Sequence, residues 1–348
     1  MKTWFLLCTL PLAGCFFERN APVPLEYQGD AFGSYYKVKY ISGPTTPGPQ
    51  ALKSETEKLI NDYNNELSAW KSDSFLSRFN QSTDLKEWPV SAIAMEAMAA
   101  ASEIWLATDG AFDPTVGPLV KLWGFGSNKA PRIPSASEIK SVKAFVGLDK
   151  LNIDPIKGIW QKTHPRQTVD VNAFAPGQAA DLIGRLLEAR GVESYLVDVG
   201  GELLARGERA KDQPWVVGIE RPSLVQGEAI AAAVPLKNSA IATSGNYRNF
   251  LDTTKGRISH TIDPRTGLQP AHKTVSVTVI TDSAINADAW ATAIMVLGPD
   301  VLKGDGAVAR QIQRRGIKVF LLEGKDDGTF LEHLNGPMQE LLKRPKEQ

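Results

Sequence analysis

An α+β fold is predicted by three features of this 348-residue sequence. Short runs typical of strands and longer runs with helical spacing both recur along the chain. They do so without the strict strand–helix–strand order of a parallel doubly wound sheet. The hydrophobic content is 43% and the charged content is 22%, as in a folded globular chain. A chain of this length can bury one large core or two smaller ones.

The individual elements follow from hydrophobic periodicity and from turn residues. Strands are predicted at 35–41, 195–199, 215–219, 229–234, 275–280 and 317–322. Helices are predicted at 52–63, 92–108, 179–190, 286–297 and 301–314. Gly191 is expected to end the third of these helices, and Ser135 or Ser137 to cap a further short helix.

The charge balance excludes one class of partner. Lys and Arg together number 39, and so do Asp and Glu. No long run of one sign occurs, so no nucleic-acid partner is expected.

The first fifteen residues are predicted to be a bacterial lipoprotein signal peptide. Lys2 precedes an apolar run shorter than the roughly 20 residues of a spanning helix. Leu12-Ala13-Gly14-Cys15 resembles a lipobox, in which Cys15 becomes the lipidated first residue of the mature chain. The alternative is a plain signal peptide in which Cys15 is incidental. We expect an exported protein, lipid-anchored to a bacterial membrane and facing the periplasm, with residues 16–28 as a tether.

Cysteine chemistry is not expected in the mature chain. Both cysteines, Cys8 and Cys15, lie in this first segment, so no intramolecular disulfide is available after processing. With four scattered His residues and no remaining Cys ligand, a zinc site is not expected either.

A carboxylate and a hydroxyl lie four residues apart in the predicted helix 286–297. Asp288 and Thr292 would share one helix face among apolar neighbours. Oxygen ligands without sulfur or imidazole suit a hard cation such as Mg²⁺. Alternatively, Asp288 caps the helix and Thr292 bonds back to the preceding turn.

A second polar cluster surrounds a predicted turn at 259–267. Gly267 can adopt positive φ there, and His260 and Ile262 would point to one face of the strand that enters the turn. His260 is a candidate general base, and Arg265 a candidate bidentate phosphate ligand. The alternative is an Asp263–Arg265 ion pair beside a structural His.

A third cluster is the block Gly110-Ala111-Phe112-Asp113-Pro114-Thr115, which is followed by Trp123 and Phe125. Its proline and glycine restrict the backbone and allow close approach of a ligand. Trp123 and Phe125 would either wall a ring-binding pocket or pack in the core. The chain has no P-loop, dinucleotide-binding fingerprint or nucleophile elbow.

Together these blocks resemble the ApbE family of FAD:protein FMN transferases, over nearly the whole chain after the tether. The Gly110–Thr115 block resembles that family's Gly-x-Phe-Asp-Pro-Thr segment. The other similar blocks follow in the family's order: Val169-Asp170-Val171-Asn172-Ala173-Phe174-Ala175-Pro176-Gly177 with Asp181, Thr243-Ser244-Gly245-Asn246-Tyr247, His260-Thr261-Ile262-Asp263-Pro264-Arg265-Thr266-Gly267, and Ala287-Asp288-Ala289-Trp290-Ala291-Thr292.

The resemblance implies a reaction and a set of roles. FAD would be cleaved at its pyrophosphate, and FMN esterified to a Thr or Ser of an acceptor protein with release of AMP. The acceptor would be a membrane or exported redox protein. Asp288, Thr292 and the carbonyl of Ala173 would bind Mg²⁺, and His260 would deprotonate the acceptor hydroxyl. The residues expected to line the FAD site are Phe32, Trp70, Ala111, Phe112, Asp113, Asp170, Pro176 and Ile262.

The resemblance also implies an ApbE-like, T-fold-related catalytic unit at 29–340, with FAD in a cleft between subregions and a tail at 341–348. Three positions depart from the family pattern: Phe32 replaces a common Met, Pro176 a common Lys, and Ala291 an Asp found in some members. Two other functions remain open, a Mg²⁺-dependent FAD pyrophosphatase and a non-catalytic FAD-binding lipoprotein.

Overall fold

The computed structural model describes residues 23–125, 132–222, 230–246, 250–253 and 256–342. The strands of these residues are β1 (Leu25–Ala31), β2 (Ser34–Tyr40), β3 (Glu87–Pro89), β4 (Leu151–Asp154), β5 (Ile159–Lys162), β6 (Tyr195–Val199), β7 (Glu202–Arg206), β8 (Trp215–Glu220), β9 (Ile230–Leu236), β10 (Ser239–Gly245), β11 (Phe250–Thr253), β12 (Gly256–Ser259), β13 (Thr274–Thr281), β14 (Lys318–Gly324) and β15 (Phe330–Leu334).

The helices vary widely in length. They are α1 (Pro49–Leu67), α2 (Phe75–Gln81), α3 (Ala92–Ala107), α4 (Gly117–Leu122), α5 (Ala136–Lys143), α6 (Ala175–Ala189), α7 (Ala284–Leu297), α8 (Ala307–Arg314) and α9 (Gly336–Leu342), with 3₁₀ turns at Leu148–Lys150 and Pro299–Leu302. Of the two predicted caps, Ser135 is the one that caps α5, in a capping box with Glu138. Of these helices, none is long and apolar enough to cross a membrane.

An eight-stranded antiparallel sheet organises the fold, in the order β1-β2-β6-β7-β10-β13-β14-β15. At its centre, β10 pairs with β13 from Ala240 opposite Thr281 to Gly245 opposite Ser276. Helices and an antiparallel sheet without βαβ alternation make this an α+β fold, so the predicted class is confirmed.

Side-chain alternation places a different core on each face of the sheet. On β14, Val319 and Leu321 join a core with α3 and α7, whereas Phe320 and Leu322 join a core with β8, β9 and α9. Helices α1, α3, α6 and α7 therefore form a layer on one face, and the β8–β9 hairpin with α9 covers part of the other.

The helical layer is centred on the contact between α6 and α7. A Cβ atom at Gly177 of α6 would lie 2.4 Å from the carbonyl oxygen of Ala284, so only glycine allows this approach. The Asp181 carboxylate of α6 accepts hydrogen bonds from the backbone N–H groups of Ala284 at 2.8 Å and Ile285 at 2.9 Å. Burial raises the pKa of Asp181 to about 6, although these two bonds oppose the shift.

Several predicted boundaries are wrong; α1, for example, spans Pro49–Leu67 instead of 52–63. The third predicted helix, α6, begins at Ala175 instead of 179 because Pro176 occupies its first turn, where a missing N–H costs nothing. The helix predicted at 301–314 is a 3₁₀ turn followed by α8, since Gly304 adopts a φ of 79° between them. The tether predicted at 16–28 ends earlier, because β1 begins at Leu25.

The end of the chain also differs from expectation. The predicted tail at 341–348 overlaps α9, which extends to Leu342 and buries Met338. Residues 341 and 342 are therefore part of the folded unit.

Replacing Asp181 with Ala is expected to lower the free energy of unfolding by about 2–4 kcal/mol. Two buried N–H groups at the start of α7 would lose their acceptors, at roughly 1–3 kcal/mol each. Urea denaturation measures the change. Asp62→Ala, which removes an exposed α1 carboxylate paired with Lys58, should change stability by less than about 0.5 kcal/mol. Equal effects of the two variants would contradict this role of Asp181.

Candidate functional site

Helix α7 presents Asp288 and Thr292 toward α6 and β10. The Gly177 N–H donates to Asp288 Oδ2 at 3.2 Å, and Thr292 Oγ1 lies 3.3 Å from Ser244 Oγ. The capping alternative for Asp288 is wrong, because Asp288 is in the second turn and Asp181 caps α7 instead. The Thr292 hydroxyl contacts Ser244 on β10 instead of the preceding turn of α7.

The Asp288 carboxyl is in an environment that disfavours its negative charge. Its exposure is 7%. Burial raises its pKa well above the usual range, the nearby Glu202 carboxylate raises it further, and the Gly177 N–H opposes both effects. Burial also raises the pKa of Glu202, to about 7. A cation bound at Asp288 would relieve this repulsion.

The donor set around Asp288 fits Mg²⁺. It combines a carboxylate with the hydroxyls of Thr292 and Ser244, all hard oxygen donors. Ala173 lies two residues before α6, whose first turn contacts Asp288 through the Gly177 N–H. In the part of the chain that the structure describes, no group of three or more His, Cys, Asp or Glu side chains could hold a metal ion.

Asp113 holds the Gly110–Thr115 block together. Its Oδ1 accepts from the Thr115 N–H at 2.7 Å and from Thr115 Oγ1 at 2.6 Å. Its Oδ2 accepts from Leu148 N–H at 3.0 Å and Trp105 Nε1 at 3.1 Å. Burial raises the pKa of Asp113, while these four donors favour the charged form. The carboxylate therefore fixes the turn that presents Ala111 and Phe112.

Two contacts join this turn to the segment before α6. The rings of Phe112 and Phe174 meet edge to face, with centroids 5.8 Å apart. The Asp170 N–H donates to the Pro114 carbonyl at 2.7 Å. Asp170 Oδ1 accepts from the Asn172 N–H at 2.9 Å, and burial raises the pKa of Asp170. The structure thus brings Asp113 and Asp170 together with the start of α6.

The turn at 259–267 packs against α4 and α5. Gly267 has a φ of 75°, as the sequence predicts, and its carbonyl accepts from Trp123 Nε1 at 3.0 Å. Ile262 is buried in a cluster that includes Trp123 and Phe125, so both aromatics have the core-packing role. The His260 ring lies edge-on to Phe125, with centroids 6.4 Å apart.

Arg265 is engaged by its own neighbour. Its Nε and Nη2 donate to the two carboxylate oxygens of Asp263 at 2.9 and 2.8 Å. The Asp263 carboxylate raises the pKa of Arg265. The ion-pair alternative is therefore the one observed, and the prediction of a bidentate phosphate ligand is not supported.

The remaining predicted FAD residues lie on different elements. Phe32 adopts a left-handed φ of 53°, and its ring meets that of Tyr63 with centroids 5.3 Å apart. Pro176 is half-buried in the first turn of α6. Trp70, between α1 and α2, is 76% exposed. Cys15 lies outside the described residues.

Sequence reasoning missed the role of Glu202, because nothing in its local pattern shows that β7 faces Asp288. It also assigned no role to Gly177. A glycine three residues inside a helix, four residues before an Asp, is the only local signal of the close α6–α7 contact.

Comparison with known proteins identifies the family. The model of the ApbE family matches residues 32–316. The chain belongs to the ApbE family. It is 39% identical to the FAD:protein FMN transferase of Klebsiella pneumoniae, over 92% of this chain and 91% of that one. Identity to the Escherichia coli K12 protein of the same name is 38%, over 86% and 84% of the two chains.

Solved structures of ApbE proteins have the same fold. The apo crystal structure of the Pseudomonas stutzeri flavinyl transferase ApbE superposes with a TM-score of 0.81 at 35% identity, covering 92% of this chain and 98% of that one. The flavin transferase ApbE from Vibrio cholerae gives 0.78 at 33% identity, covering 92% and 99%. The ApbE resemblance and the ApbE-like fold are therefore confirmed.

Replacing Asp113 with Asn is expected to lower the free energy of unfolding by about 2–3 kcal/mol. The amide NH₂ cannot accept a hydrogen bond, so at least one buried N–H of Leu148, Trp105 or Thr115 loses its acceptor. Thermal or urea unfolding measures the loss. Asp109→Asn replaces an exposed carboxylate four residues earlier and should be nearly neutral. A neutral Asp113→Asn would show that the four hydrogen bonds contribute little.

Proposed function

We propose that this chain is a FAD:protein FMN transferase that esterifies FMN to a Thr or Ser of an acceptor protein and releases AMP, in a Mg²⁺-dependent reaction. Membership of the ApbE family and relatives that carry this enzyme name support the activity. The observation that carries the mechanism is the buried Asp288 carboxylate, set beside two hydroxyls and repelled by Glu202.

The proposed transfer is a displacement at phosphorus. The acceptor hydroxyl oxygen forms a bond to the FMN phosphorus while the bond to the bridging pyrophosphate oxygen breaks, and AMP leaves with that oxygen. Mg²⁺, held by Asp288, Thr292 and the Ala173 carbonyl, would supply charge stabilisation to the phosphates. The hydroxyl proton passes to His260 as general base.

The FAD-binding role is assigned to the surfaces next to this centre. Ala111, Phe112, Asp113 and Asp170 are linked to the α6 start through the Phe112–Phe174 and Asp170–Pro114 contacts. The Asp113 and Asp170 carboxylates already accept hydrogen bonds from backbone N–H groups. Their proposed role is therefore to shape the flavin site, not to bind FAD through their charge. Phe32, Trp70, Pro176 and Ile262 would contribute from the surrounding elements.

Export and lipid anchoring complete the proposal. The lipobox-like Leu12-Ala13-Gly14-Cys15 supports a mature chain that begins at Cys15 and is held on a bacterial membrane facing the periplasm. Its acceptor would then be a membrane or exported redox protein.

Covalent flavinylation tests the function directly. Incubation with FAD, Mg²⁺ and a protein already shown to accept FMN from another flavin transferase should give an acceptor band that fluoresces in a denaturing gel. Mass spectrometry should find FMN on a Thr or Ser, and AMP in the supernatant. FAD cleavage to free FMN without a labelled acceptor would indicate a pyrophosphatase instead.

Asp288→Asn is expected to remove stabilisation by Mg²⁺ as well as activity. The pKa of Asp288 is higher in the folded protein than in the unfolded chain. The free energy of unfolding therefore falls as pH rises through the folded pKa and the carboxyl ionises. Asn carries no charge, so the variant does not lose this stability. In EDTA at pH 8 the variant should be at least as stable as the wild type. Mg²⁺ at 100 times its Kd should add about 2.7 kcal/mol to the wild type alone.

Thermal unfolding with EDTA or Mg²⁺ measures both effects of Asp288→Asn. Asp282→Asn, an exposed carboxylate just before α7, is the matched control and should respond to Mg²⁺ like the wild type. The metal assignment fails if Asp288→Asn gains the same stabilisation.

His260→Ala is expected to slow FMN transfer by about 10²–10⁴-fold while leaving the Kd for FAD within a few-fold, because it removes only the proton acceptor. Stopped assays of labelled acceptor and fluorescence titration with FAD separate the two effects. His333→Ala on β15, where His333 pairs with Glu323, should leave transfer unchanged. Wild-type rates in His260→Ala would refute the base assignment.

A further inference from the structure

A cavity of about 440 Å³ with a mixed polar and apolar lining opens between the C-terminal half of α7 and the end of the sheet where β13 begins and β14 ends. None of the residues predicted for FAD, metal or catalysis lines it, as far as the described chain extends. Its lining includes Asn246, Ser259, Thr261, Thr274 and Met295.

The cavity lies next to the helix and the strand that carry the candidate metal pair. Met295 lies three residues after Thr292 on α7, a rise of about 4.5 Å, and seven after Asp288, so all three share one helix face. Asn246 lies two residues after Ser244, the hydroxyl that contacts Thr292, and its N–H donates to the Val275 carbonyl at 3.1 Å. The same β10–α7 interface therefore carries the metal pair and one wall of the cavity.

The opposite wall comes from the segment that carries the proposed base. Ser259 and Thr261, the two neighbours of His260 in the chain, both line the cavity. The Gln269 side chain holds this segment in place, since its Nε2 donates to the Ser259 carbonyl at 2.8 Å. A group bound in the cavity thus lies between the segment of His260 and the helix of Asp288.

Thr274 supplies an independent sign of a ligand. It lines the cavity, it is 1% exposed, and its Oγ1 has no hydrogen-bond partner among the described residues. Neighbouring polar groups are paired: the Thr274 carbonyl accepts from Asn246 Nδ2 at 2.8 Å, and the Thr274 N–H donates to His272 Nδ1 at 3.3 Å. Buried hydroxyls nearly always have a partner, and an unpartnered one at a cavity wall is a position where a bound group would supply it.

The lining favours a peptide over a flavin ring. It offers hydroxyls, amides and the two lysines Lys273 and Lys325, and no Phe, Tyr or Trp among its described members against which a flat ring would stack. The hydroxyl and amide groups on both walls can pair with the N–H and C=O groups of an extended chain.

We propose that this cavity receives the extended segment of the acceptor protein that carries the reactive hydroxyl, with Thr274 Oγ1 hydrogen-bonded to that segment's backbone. This assignment rests on the proposed transferase function. It places the acceptor on one side of the Asp288–Thr292 pair and the FAD-lining residues near α6 and Asp113 on the other.

The test uses Thr274→Val, which keeps the shape of the side chain and removes only the unpartnered oxygen. The probe is the purified soluble domain of a protein already shown to accept FMN from another flavin transferase. Calorimetric titration of this domain into the FAD-free protein measures docking without chemistry. A separate FAD titration measures flavin binding, and initial rates give KM for the acceptor.

Thr274→Val should raise both the acceptor Kd and its KM by about 3–10-fold, with an unchanged FAD Kd. Tyr36→Phe is the matched control, because it removes another buried hydroxyl without a described partner, far from the cavity, and should change neither. Equal behaviour of the two variants would overturn the proposal, and so would a loss of FAD binding alone. If the wild type binds the acceptor through Thr274 but transfers no FMN, the docking site stands and the proposed function fails.

Discussion

The contact between α6 and α7 is the constraint on which the rest of the structure depends. Gly177 lets the two backbones approach, and Asp181 satisfies the first N–H groups of α7 from the neighbouring helix. This pair of interactions sets the rotation of α7, and that rotation turns Asp288 toward the Gly177 N–H and Thr292 toward Ser244 on β10. A larger side chain at position 177 would separate the helices and disperse the oxygen donors, even though none of those donors had changed.

The same contact explains an electrostatic cost at the centre of the molecule. Asp288 is buried, and the Glu202 carboxylate adds to the unfavourable environment for its charge. One backbone N–H offsets only part of this cost. A buried carboxylate pair is a poor means of stabilising a fold. In the proposed function, a divalent cation would remove this repulsion on binding.

The Asp113 turn and the cavity beside Thr274 lie in different directions from the Asp288–Thr292 pair. The Asp113 turn and the Asp170 segment meet at the start of α6, whereas the cavity beside Thr274 lies beyond Thr292 along α7. A donor of FMN on the first side and an acceptor hydroxyl on the second would meet at the Asp288–Thr292 pair. Arg265 shows the limit of residue-type reasoning, because its guanidinium suits a phosphate but is already held by Asp263.

The sequence alone determined what depends on short spacing and on the order of blocks. The α+β class, the shared face of Asp288 and Thr292, the positive φ of Gly267 and the ApbE family all follow from residues close together or from their order along the chain. Tertiary structure decided which groups meet. Asp181 rather than Asp288 caps α7, Glu202 adds its charge to Asp288, and Thr274 is left without a described partner in a cavity wall. These facts depend on burial and on contacts between residues distant in sequence, and helical or strand periodicity reports neither.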